Sequence, residues 1–193
     1  FTPQQRELHD SLLEVQAQIL SKIHPTKSIN FMMTTIRRQA ASCLYGLAPL
    51  IKDILNRRIS DVSDQESSDE YELLDPEAAG EVLGEVEGIV KRAEQLEGTT
   101  DPKLEALLGI IRDKQELENN KLMVFSSFRH TLSYLFAKLS ATGIRVGMVH
   151  GGTPDEERVE LRDRFKRLRE DTDAIDVLLF SEVGCEGLDY QFC

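Results

Sequence analysis

The segment that decides the fold is "KLMVFSSFRHTLSYLFAKLSATGIRVGMV" (residues 121–149). Its first six residues form an apolar run without alternation, which is typical of a strand buried on both faces of a parallel sheet. A stripe of apolar residues at helical spacing follows, and Gly143 stands where a helix commonly ends on a glycine cap. The last six residues, "IRVGMV", predict another strand. The segment therefore predicts a strand, a helix and a second strand.

The residues after this segment repeat the pattern. "TPDE" (153–156) has the Thr and the Glu of a capping box, and it precedes a stretch with apolar residues at helical spacing. "IDVLLF" (175–180) predicts a third strand. Strands that alternate with helices through short links predict an open α/β sheet with parallel neighbours. In such a sheet, ligands gather at the carboxyl ends of the strands.

The residues before this segment predict helices only. "TPQQ" (2–5) is a second capping-box pattern, with Pro at the first helical position. Apolar residues recur at helical spacing in five segments, which start at Leu8, Met32, Leu50, Val82 and Leu104. Residues 1–118 are therefore predicted to form an all-helical region, interrupted by one acidic loop.

The net charge of −11 is concentrated in one part of the chain. Residues 1–58 have a charge balance of +4, residues 59–102 of −12 and residues 103–193 of −3. The acidic loop 60–76 has little apolar content and is predicted to be a solvated linker. A metal-binding loop is disfavoured because the carboxylates lack the alternating spacing and the central Gly of a calcium loop. The acidic total therefore does not exclude nucleic acid as a partner of the other residues.

Composition excludes several classes of protein. No apolar run approaches the roughly 20 residues that span a bilayer, and no signal peptide is recognisable, so no membrane partner is expected. Cys43, Cys185 and Cys193 are odd in number and widely spaced, which predicts a reducing, cytoplasmic location and no zinc site. The chain opens on "FTPQQ", without Met, and is expected to be a piece of a longer protein.

Three loops leave the predicted carboxyl ends of the strands: "SSFRHT" (126–131), "HGGTPDEER" (150–158) and "SEVGCEGLDYQ" (181–191). A hydroxyl side chain beside a helix start suits an anion, and the glycines let a phosphate approach the backbone closely. Tight turns with ordinary caps are the structural alternative. His150 has two interpretations as well, as a neighbour of a ligand or as a partly exposed turn residue.

No hydrolytic machinery can be assembled from the sequence. It contains no GxxxxGK[ST] phosphate loop and no GxSxG elbow. Its four His residues show neither metal spacing nor a Ser or Cys partner. A complete active site is therefore not expected within these residues.

The three loops, in this order and spacing, resemble the second RecA-like lobe of superfamily-two helicases, and more closely that of Swi/Snf-type DNA-translocating ATPases. Residues 121–135 look like motif IV of that family, residues 149–165 like the block that follows it, and residues 178–191 like motif V. The helical N-terminal part also resembles the family. The resemblance implies a truncated RecA-like three-layer parallel sheet at 119–193, from motif IV to motif V. It implies that the helical region 1–118 is the protrusion of that lobe.

The resemblance also implies which residues carry the function. Those expected at the nucleic-acid backbone are Ser126, Phe128, Arg129, Gly151, Thr153, Arg158, Ser181, Glu182, Gly184 and Glu186. Those expected at the nucleotide are Gly187, Asp189 and Gln191. No metal ligand is expected in the chain. Contacts with the backbone are independent of base sequence and weaken with salt.

Three positions depart from the Swi/Snf pattern. Cys185 stands in place of a motif V glycine, Asp189 in place of the usual Asn, and Ser127 in place of a frequent Gln. Asp189 resembles instead the motif V of RNA helicases, in which an acid reaches the ribose of the nucleotide. Bacterial Swi/Snf-like ATPases, including those associated with RNA polymerase, vary at such positions and are the favoured subgroup. DNA is the favoured substrate, and RNA stays open.

The resemblance implies a nucleic-acid-dependent ATPase that uses ATP and Mg²⁺ in the cleft between two lobes. The phosphate loop and the acidic box would belong to the missing first lobe, and the arginine fingers to motif VI beyond Cys193. The chain alone is then expected to be inactive and to bind no nucleotide. Its expected partners are DNA or RNA, the first lobe, and RNA polymerase or another protein complex. Its expected location is the cytoplasm, with nucleoid association in a bacterium.

Two other functions remain open. The first is the second lobe of an RNA helicase, which Asp189 favours and the helical N-terminal region disfavours. The second is a non-catalytic α/β interaction domain whose acidic loop docks a basic partner. Salt-sensitive binding to nucleic acid separates this second function from the helicase-like ones.

Overall fold

The structure is a computed structural model that describes residues 2–22, 27–55 and 87–181. Contacts between Cα atoms divide the chain into two compact units, with Thr100 in the first and Asp101 in the second. The acidic loop 60–76 lies outside the described residues. Each unit has its own apolar core and is described by itself.

All the described elements of the first unit are helices, as the apolar spacing predicts. They are α1 (Pro3–Lys22), α2 (Lys27–Ser42), a short 3₁₀ helix (Leu44–Gly46), α3 (Leu47–Leu55) and α4 (residues 87–95). The capping box of α1 is confirmed, because the Gln5 N–H donates to Thr2 Oγ1 (3.2 Å) and the Thr2 N–H donates to Gln5 Oε1 (3.0 Å). The first of these bonds satisfies an amide that has no partner within the helix.

The core of the first unit is formed by the apolar faces of its helices. Leu8 and Leu12 of α1 belong to one buried cluster with Ile36 of α2, Ile51 of α3 and Ile89 of α4. The buried apolar residues include pairs three or four positions apart, such as Leu8 and Leu12 of α1 and Ile36 and Ala40 of α2. This is the spacing by which the helices are recognisable in the sequence.

The second unit is an α/β domain with three parallel strands. Its elements are α5 (Pro102–Gln115), β1 (Leu122–Phe125), α6 (Arg129–Ala141), β2 (Val146–Val149), α7 (Asp155–Lys166) and β3 (Val177–Phe180). The strand order is β1-β3-β2, so β3 lies in the centre. The predicted sheet with parallel neighbours is confirmed. Helix α5, which the sequence pattern groups with the helical region, clusters with this sheet.

Helices cover both faces of the sheet. Val177 and Leu179 of β3 pack in a cluster with residues of α5 and α6, whereas Leu178 and Phe180 pack with Phe165 of α7. Successive side chains of a strand point to opposite faces, so α5 and α6 lie on one face and α7 on the other. The unit therefore has three layers, and all four residues of β3 are buried.

Strand β1 is less buried than its apolar sequence predicts. Leu122, Met123 and Val124 are partly buried, and Phe125 is 54% exposed. The reason is the strand order, because β1 lies at the edge of the described sheet and pairs there with β3 alone. Burial on both faces is thus confirmed for β3, and the same prediction is wrong for β1.

The glycine cap predicted after α6 is confirmed. Gly143 has a φ of +80°, in the left-handed region that favours glycine. The Ile144 N–H donates to Leu139 O (3.2 Å), and the Gly143 N–H donates to Ser140 O (3.0 Å). These two bonds form a Schellman motif, which ends the helix and turns the chain towards β2.

Gly147 of β2 lies in a closely packed part of the sheet. A Cβ atom placed on it would lie 2.8 Å from Leu178 Cδ1, 3.0 Å from Ile175 Cδ1 and 3.2 Å from Leu161 Cδ2. Leu178 and Ile175 are fully buried and have little room to move. We expect Gly147→Val to lower the free energy of unfolding by about 1–3 kcal/mol through overpacking, as measured by urea denaturation.

The matched control for this substitution is Gly109→Ala in α5. A Cβ atom on Gly109 meets nothing within 4 Å, and Ala is favoured over Gly inside a helix by roughly 0.5–1 kcal/mol. The control is therefore expected to stabilise the unit slightly. An unchanged denaturation midpoint for Gly147→Val would contradict the packing described for β2.

Candidate nucleic-acid interface

The three strands end together at one edge of the sheet, which we call the carboxyl edge. Phe180 of β3 pairs with Phe125 of β1 and with Val149 of β2. Beyond the strands, the Ser126 N–H donates to Phe180 O, and the Ser181 N–H donates to Val149 O, both at 3.0 Å. The fold therefore brings the starts of the three predicted loops side by side.

The three predicted residues of the first loop differ in how exposed their side chains are. Ser126 Oγ accepts a hydrogen bond from the Phe128 N–H (3.2 Å), which closes a turn before α6. Phe128 is buried, so its ring belongs to the core. Arg129, the first residue of α6, is exposed and forms no hydrogen bond or ion pair with the described part of the chain. Arg129 is therefore the residue of this loop that is available to a phosphate.

Of the predicted loop 150–158, the part from Asp155 onwards belongs to α7. Residues 150–153, called the second loop from here on, form a turn closed by its own hydrogen bonds. The Thr153 N–H donates to His150 O (2.9 Å), the His150 N–H to Thr153 Oγ1 (3.0 Å) and the Gly152 N–H to His150 Nδ1 (3.1 Å). The capping box predicted at Thr153 is wrong, because α7 begins only at Asp155 and the Thr153 hydroxyl accepts from His150 instead. His150 is thus a turn-forming residue, and Thr153 is buried.

Arg158 of α7 faces this second loop. Its Nε donates to Thr153 O (2.8 Å), and its Nη2 donates to Gly151 O (3.0 Å) and to His150 O (3.3 Å). The side chain is only 15% exposed. Asp155 lies 4.0 Å from Nε but is almost fully exposed, and an ion pair with such a partner contributes little. The guanidinium is therefore engaged mainly by the backbone of the loop.

The third loop starts at Ser181, which is buried. The other residues predicted in this loop are Glu182, Gly184, Glu186, Gly187, Asp189 and Gln191, and they lie outside the described residues. Their assignment to nucleic acid and to the nucleotide stays a prediction.

The charges at the carboxyl edge are distributed unevenly. Arg129 lies at the start of α6, whereas the first turn of α7 carries the exposed carboxylates of Asp155, Glu156 and Glu157. Carboxylates at the N-terminal end of a helix are stabilised by its dipole, but they repel a phosphate. A phosphate is therefore expected on the α6 side of the edge.

The described residues do not provide a metal site. Within residues 2–22, 27–55 and 87–181, no group of three His, Cys, Asp or Glu side chains is placed to hold an ion. These described residues therefore do not form a complete ligand set for an ion by themselves. Over the same ranges, no helix has the length and apolar character needed to cross a membrane.

The opposite edge of the sheet, the amino edge, holds a polar cluster that the sequence motifs do not predict. Asp176 accepts hydrogen bonds from Arg145 on both carboxylate oxygens (2.8 Å each) and from Asn120 Nδ2 on Oδ1 (2.7 Å). Lys121 Nζ lies 3.9 Å from the same carboxylate and donates to Ile175 O (2.7 Å). The side chains of Lys121 and Asp176 are 8% and 10% exposed.

Burial and pairing shift the pKa values of the two cations in this cluster. The pKa of Lys121 is lowered, chiefly by burial and against the attraction of Asp176. The pKa of Arg145 is raised, chiefly by its hydrogen bond to Asp176.

One signal in the sequence locates the cluster, since Lys121, Arg145 and Asp176 each stand directly before an apolar strand. Parallel strands start at a common edge, which brings the three charges together.

Comparison with known protein families gives a match that includes the loops at the carboxyl edge. The second unit matches the helicase conserved C-terminal domain. The match covers residues 102–193 and includes all three loops. The matched residues therefore start at α5.

Curated proteins that are similar to part of this chain include RNA helicases. The ATP-dependent RNA helicase RhlB of Shewanella frigidimarina is 30% identical over 88 residues, which are 46% of this chain and 18% of that protein. The RhlB of Shewanella denitrificans is 28% identical over 90 residues, which are 47% of this chain and 19% of that protein. The matched segment thus spans less than a fifth of the length of these relatives.

The fold is also similar to that of a solved helicase structure. The crystal structure of the Pyrococcus furiosus Hef helicase domain is similar with a TM-score of 0.55 at 20% sequence identity, covering 98% of this chain and 45% of that one. At this identity the likeness shows the fold alone. Together with the family match, it confirms the predicted truncated RecA-like α/β fold. The Swi/Snf subgroup stays a prediction.

Proposed function

We propose that the chain is the second lobe of an ATP-dependent nucleic-acid translocase, and that its carboxyl edge contacts the nucleic-acid backbone. The observation that carries the proposal is that three loops start side by side at this edge, within the residues that match the helicase conserved C-terminal domain. Open α/β sheets bind ligands at the carboxyl ends of their strands. The resemblance of the same loops to motifs IV and V supports the same edge.

Arg129 is the described residue that best fits contact with a phosphate. It is exposed, it is unpaired within the described residues, and it begins α6, whose dipole attracts negative charge at that end. The carboxylates at the start of α7 repel a strand that passes over them. We therefore propose that the α6 side of the edge binds the phosphate that Arg129 contacts.

Hydrolysis of ATP is proposed for the whole protein only. The chain contains no phosphate loop, and its described residues hold no metal cluster. On this proposal ATP and Mg²⁺ are held mainly by the first lobe, while Gly187, Asp189 and Gln191 face the nucleotide. The isolated chain is then inactive as an ATPase, since the groups that stabilise the transferring phosphoryl belong to other parts of the protein.

DNA and RNA are both candidates for the nucleic acid. We favour DNA because the helical first unit resembles the protrusion of Swi/Snf-type translocases. The expected partner is then RNA polymerase or another protein complex, and the expected location is the nucleoid. RNA is the second candidate. It is supported by the relatives, which are named RNA helicases, and by the resemblance of Asp189 to the RNA-helicase form of motif V.

We expect Arg129→Gln to lower the affinity for nucleic acid. The affinity of the variant should also depend less steeply on salt concentration. Loss of one phosphate contact lowers the slope of log K against log salt by about 0.7 for single strands and about 0.9 for duplex DNA. The measurement is fluorescence anisotropy of labelled oligonucleotides, both DNA and RNA, titrated with the chain at several salt concentrations. Tighter binding of one nucleic acid in the same titrations decides between the two candidates.

The matched control is Arg167→Gln, which removes the same charge at the amino edge. Arg167 follows α7 and pairs with Asp171 and Asp173 at 3.4 and 3.5 Å. Its substitution should leave the salt slope unchanged. Equal slopes for wild type and Arg129→Gln would contradict the assignment of Arg129. Absence of salt-sensitive binding by the wild type would instead favour the non-catalytic interaction domain.

A further inference from the structure

Arg158 is bound by three main-chain carbonyl groups of a single short loop. The acceptors are the oxygens of His150, Gly151 and Thr153, at 3.3, 3.0 and 2.8 Å. They all lie in the second loop, residues 150–153, which links β2 to α7. The side chain is 15% exposed, in contrast to the exposed Arg129 at the start of α6. The two arginines of this edge therefore differ in what they contact.

The contacts of Arg158 fix the direction of the peptide groups in the loop. In a trans peptide the C=O and the N–H point in opposite directions. Because the carbonyls of His150 and Gly151 are directed at Arg158, the N–H groups of Gly151 and Gly152 point away from it. The oxygens that would repel a phosphate are thereby turned towards a cation, and the Gly152 N–H donates to His150 Nδ1 within the loop.

The planar guanidinium is suited to this task in a way that an ammonium is not. Its donors form a rigid fork, so that Nε and Nη2 reach different carbonyls of the loop at the same time. Lys has the same charge on a flexible stem that ends in a single nitrogen. Replacing Arg158 by Lys therefore keeps the positive charge and removes the rigid fork of donors.

We propose that Arg158 is a positioning residue, which holds the second loop in the form that faces the nucleic-acid backbone and does not itself bind a phosphate. The inference rests on the proposed function and replaces the direct contact that the family resemblance implies for Arg158. Arg129 contacts the phosphate, and Arg158 acts through the loop. The two roles respond differently to substitutions that keep the charge.

The binding test uses the chain with Arg158→Lys, Arg158→Gln and Arg129→Gln. Both Arg158 variants are expected to bind a single-stranded oligonucleotide about tenfold more weakly than the wild type, equivalent to about 1.4 kcal/mol. Arg158→Lys should keep the salt slope of the wild type, because its charge is retained, whereas Arg129→Gln lowers that slope. Binding by Arg158→Lys within about twofold of the wild type would be expected of a direct phosphate contact and would overturn the proposal.

A second readout needs no nucleic acid. In ¹⁵N-labelled protein, Arg158→Lys should shift the amide resonances of Gly151, Gly152 and Thr153, and Arg129→Gln should leave them in place. In the wild type, the Nε–H proton of Arg158 should exchange slowly with water. This measurement uses the wild type alone, so it does not depend on the folding of any variant. Rapid exchange of that proton, or unmoved loop amides in Arg158→Lys, would overturn the positioning role. Wild-type protein that binds no nucleic acid would reject the proposed function instead.

Discussion

Replacing Asp176 by Ala is expected to lower the free energy of unfolding of the second unit by about 3–5 kcal/mol. The carboxylate accepts two hydrogen bonds from Arg145 at 2.8 Å and lies 3.9 Å from Lys121 Nζ. Without it, both cations lose the carboxylate that they share, and Lys121 is buried. Removing one partner of a buried pair is costly because the remaining charge is poorly solvated. Urea denaturation followed by circular dichroism measures the loss.

The effect of Asp176→Ala is expected to depend on pH. The pKa of Lys121 is lowered, first by burial, and the attraction of Asp176 opposes this shift. A Lys whose pKa is lower in the folded state destabilises the fold at pH values below that pKa, and the cost disappears as pH rises through the unfolded value of 10.5. Loss of Asp176 increases this cost. The deficit of Asp176→Ala should therefore be smaller near about pH 10 than near about pH 7.

The matched control for Asp176→Ala is Asp163→Ala. Asp163 lies on α7 and pairs with Arg162 at 2.9 Å, but its side chain is 56% exposed. Exposed pairs contribute little, so the control should change the free energy of unfolding by less than about 1 kcal/mol. An effect of Asp176→Ala as small as that of the control would show that the amino-edge cluster does not stabilise the sheet.

Phe165→Ala is the second substitution for which a large effect is expected, a destabilisation of about 3–5 kcal/mol. Phe165 is the fully buried aromatic residue of α7, and it packs with Leu178, Phe180 and Ile175 on one face of the sheet. Its removal leaves a cavity between α7 and the central strand, so the free energy of burial and many packing contacts are lost together. Thermal or urea unfolding of the chain measures the change.

The control for Phe165→Ala is Leu168→Ala, which also truncates an apolar side chain close to the end of α7. Leu168 is 77% exposed, so its truncation should cost no more than about 0.5 kcal/mol. Equal losses for the two variants would contradict the described core.

The Phe165 ring also lies 5.8 Å from Lys121 Nζ. The effects of Phe165→Ala and Asp176→Ala are therefore not expected to add, because both substitutions change the surroundings of the same cation.

Most of the fold could be predicted from the sequence, since its signals are local. The helices of the first unit follow from apolar spacing, and the capping box of residues 2–5 and the cap at Gly143 follow from short-range chemistry. The failures also have physical reasons. Thr153 has the sequence of a capping residue, but its hydroxyl bonds to His150 in a turn that only the folded loop creates. Phe125 is exposed because of its place in the strand order.

The candidate site was predictable only in part. The carboxyl edge follows from the order of strands and helices, and so does the presence of Ser126, Arg129 and Thr153 near it. The sequence does not distinguish an arginine that faces solvent from one that faces a loop, and Arg129 and Arg158 look alike there. The difference between them arises from the fold of residues 150–153, which directs three carbonyls at Arg158.

The sequence by itself determined the alternation of strands and helices, the loops that follow the strands and the resemblance to a helicase lobe, because each depends on residues close together in the chain. The tertiary structure alone decided which strand lies in the centre and which charges meet. Placing β3 between β1 and β2 aligns the starts of three loops at one edge and brings Lys121, Arg145 and Asp176 together at the other. Strand order is set by pairing and packing between distant segments, which leave no period in the sequence.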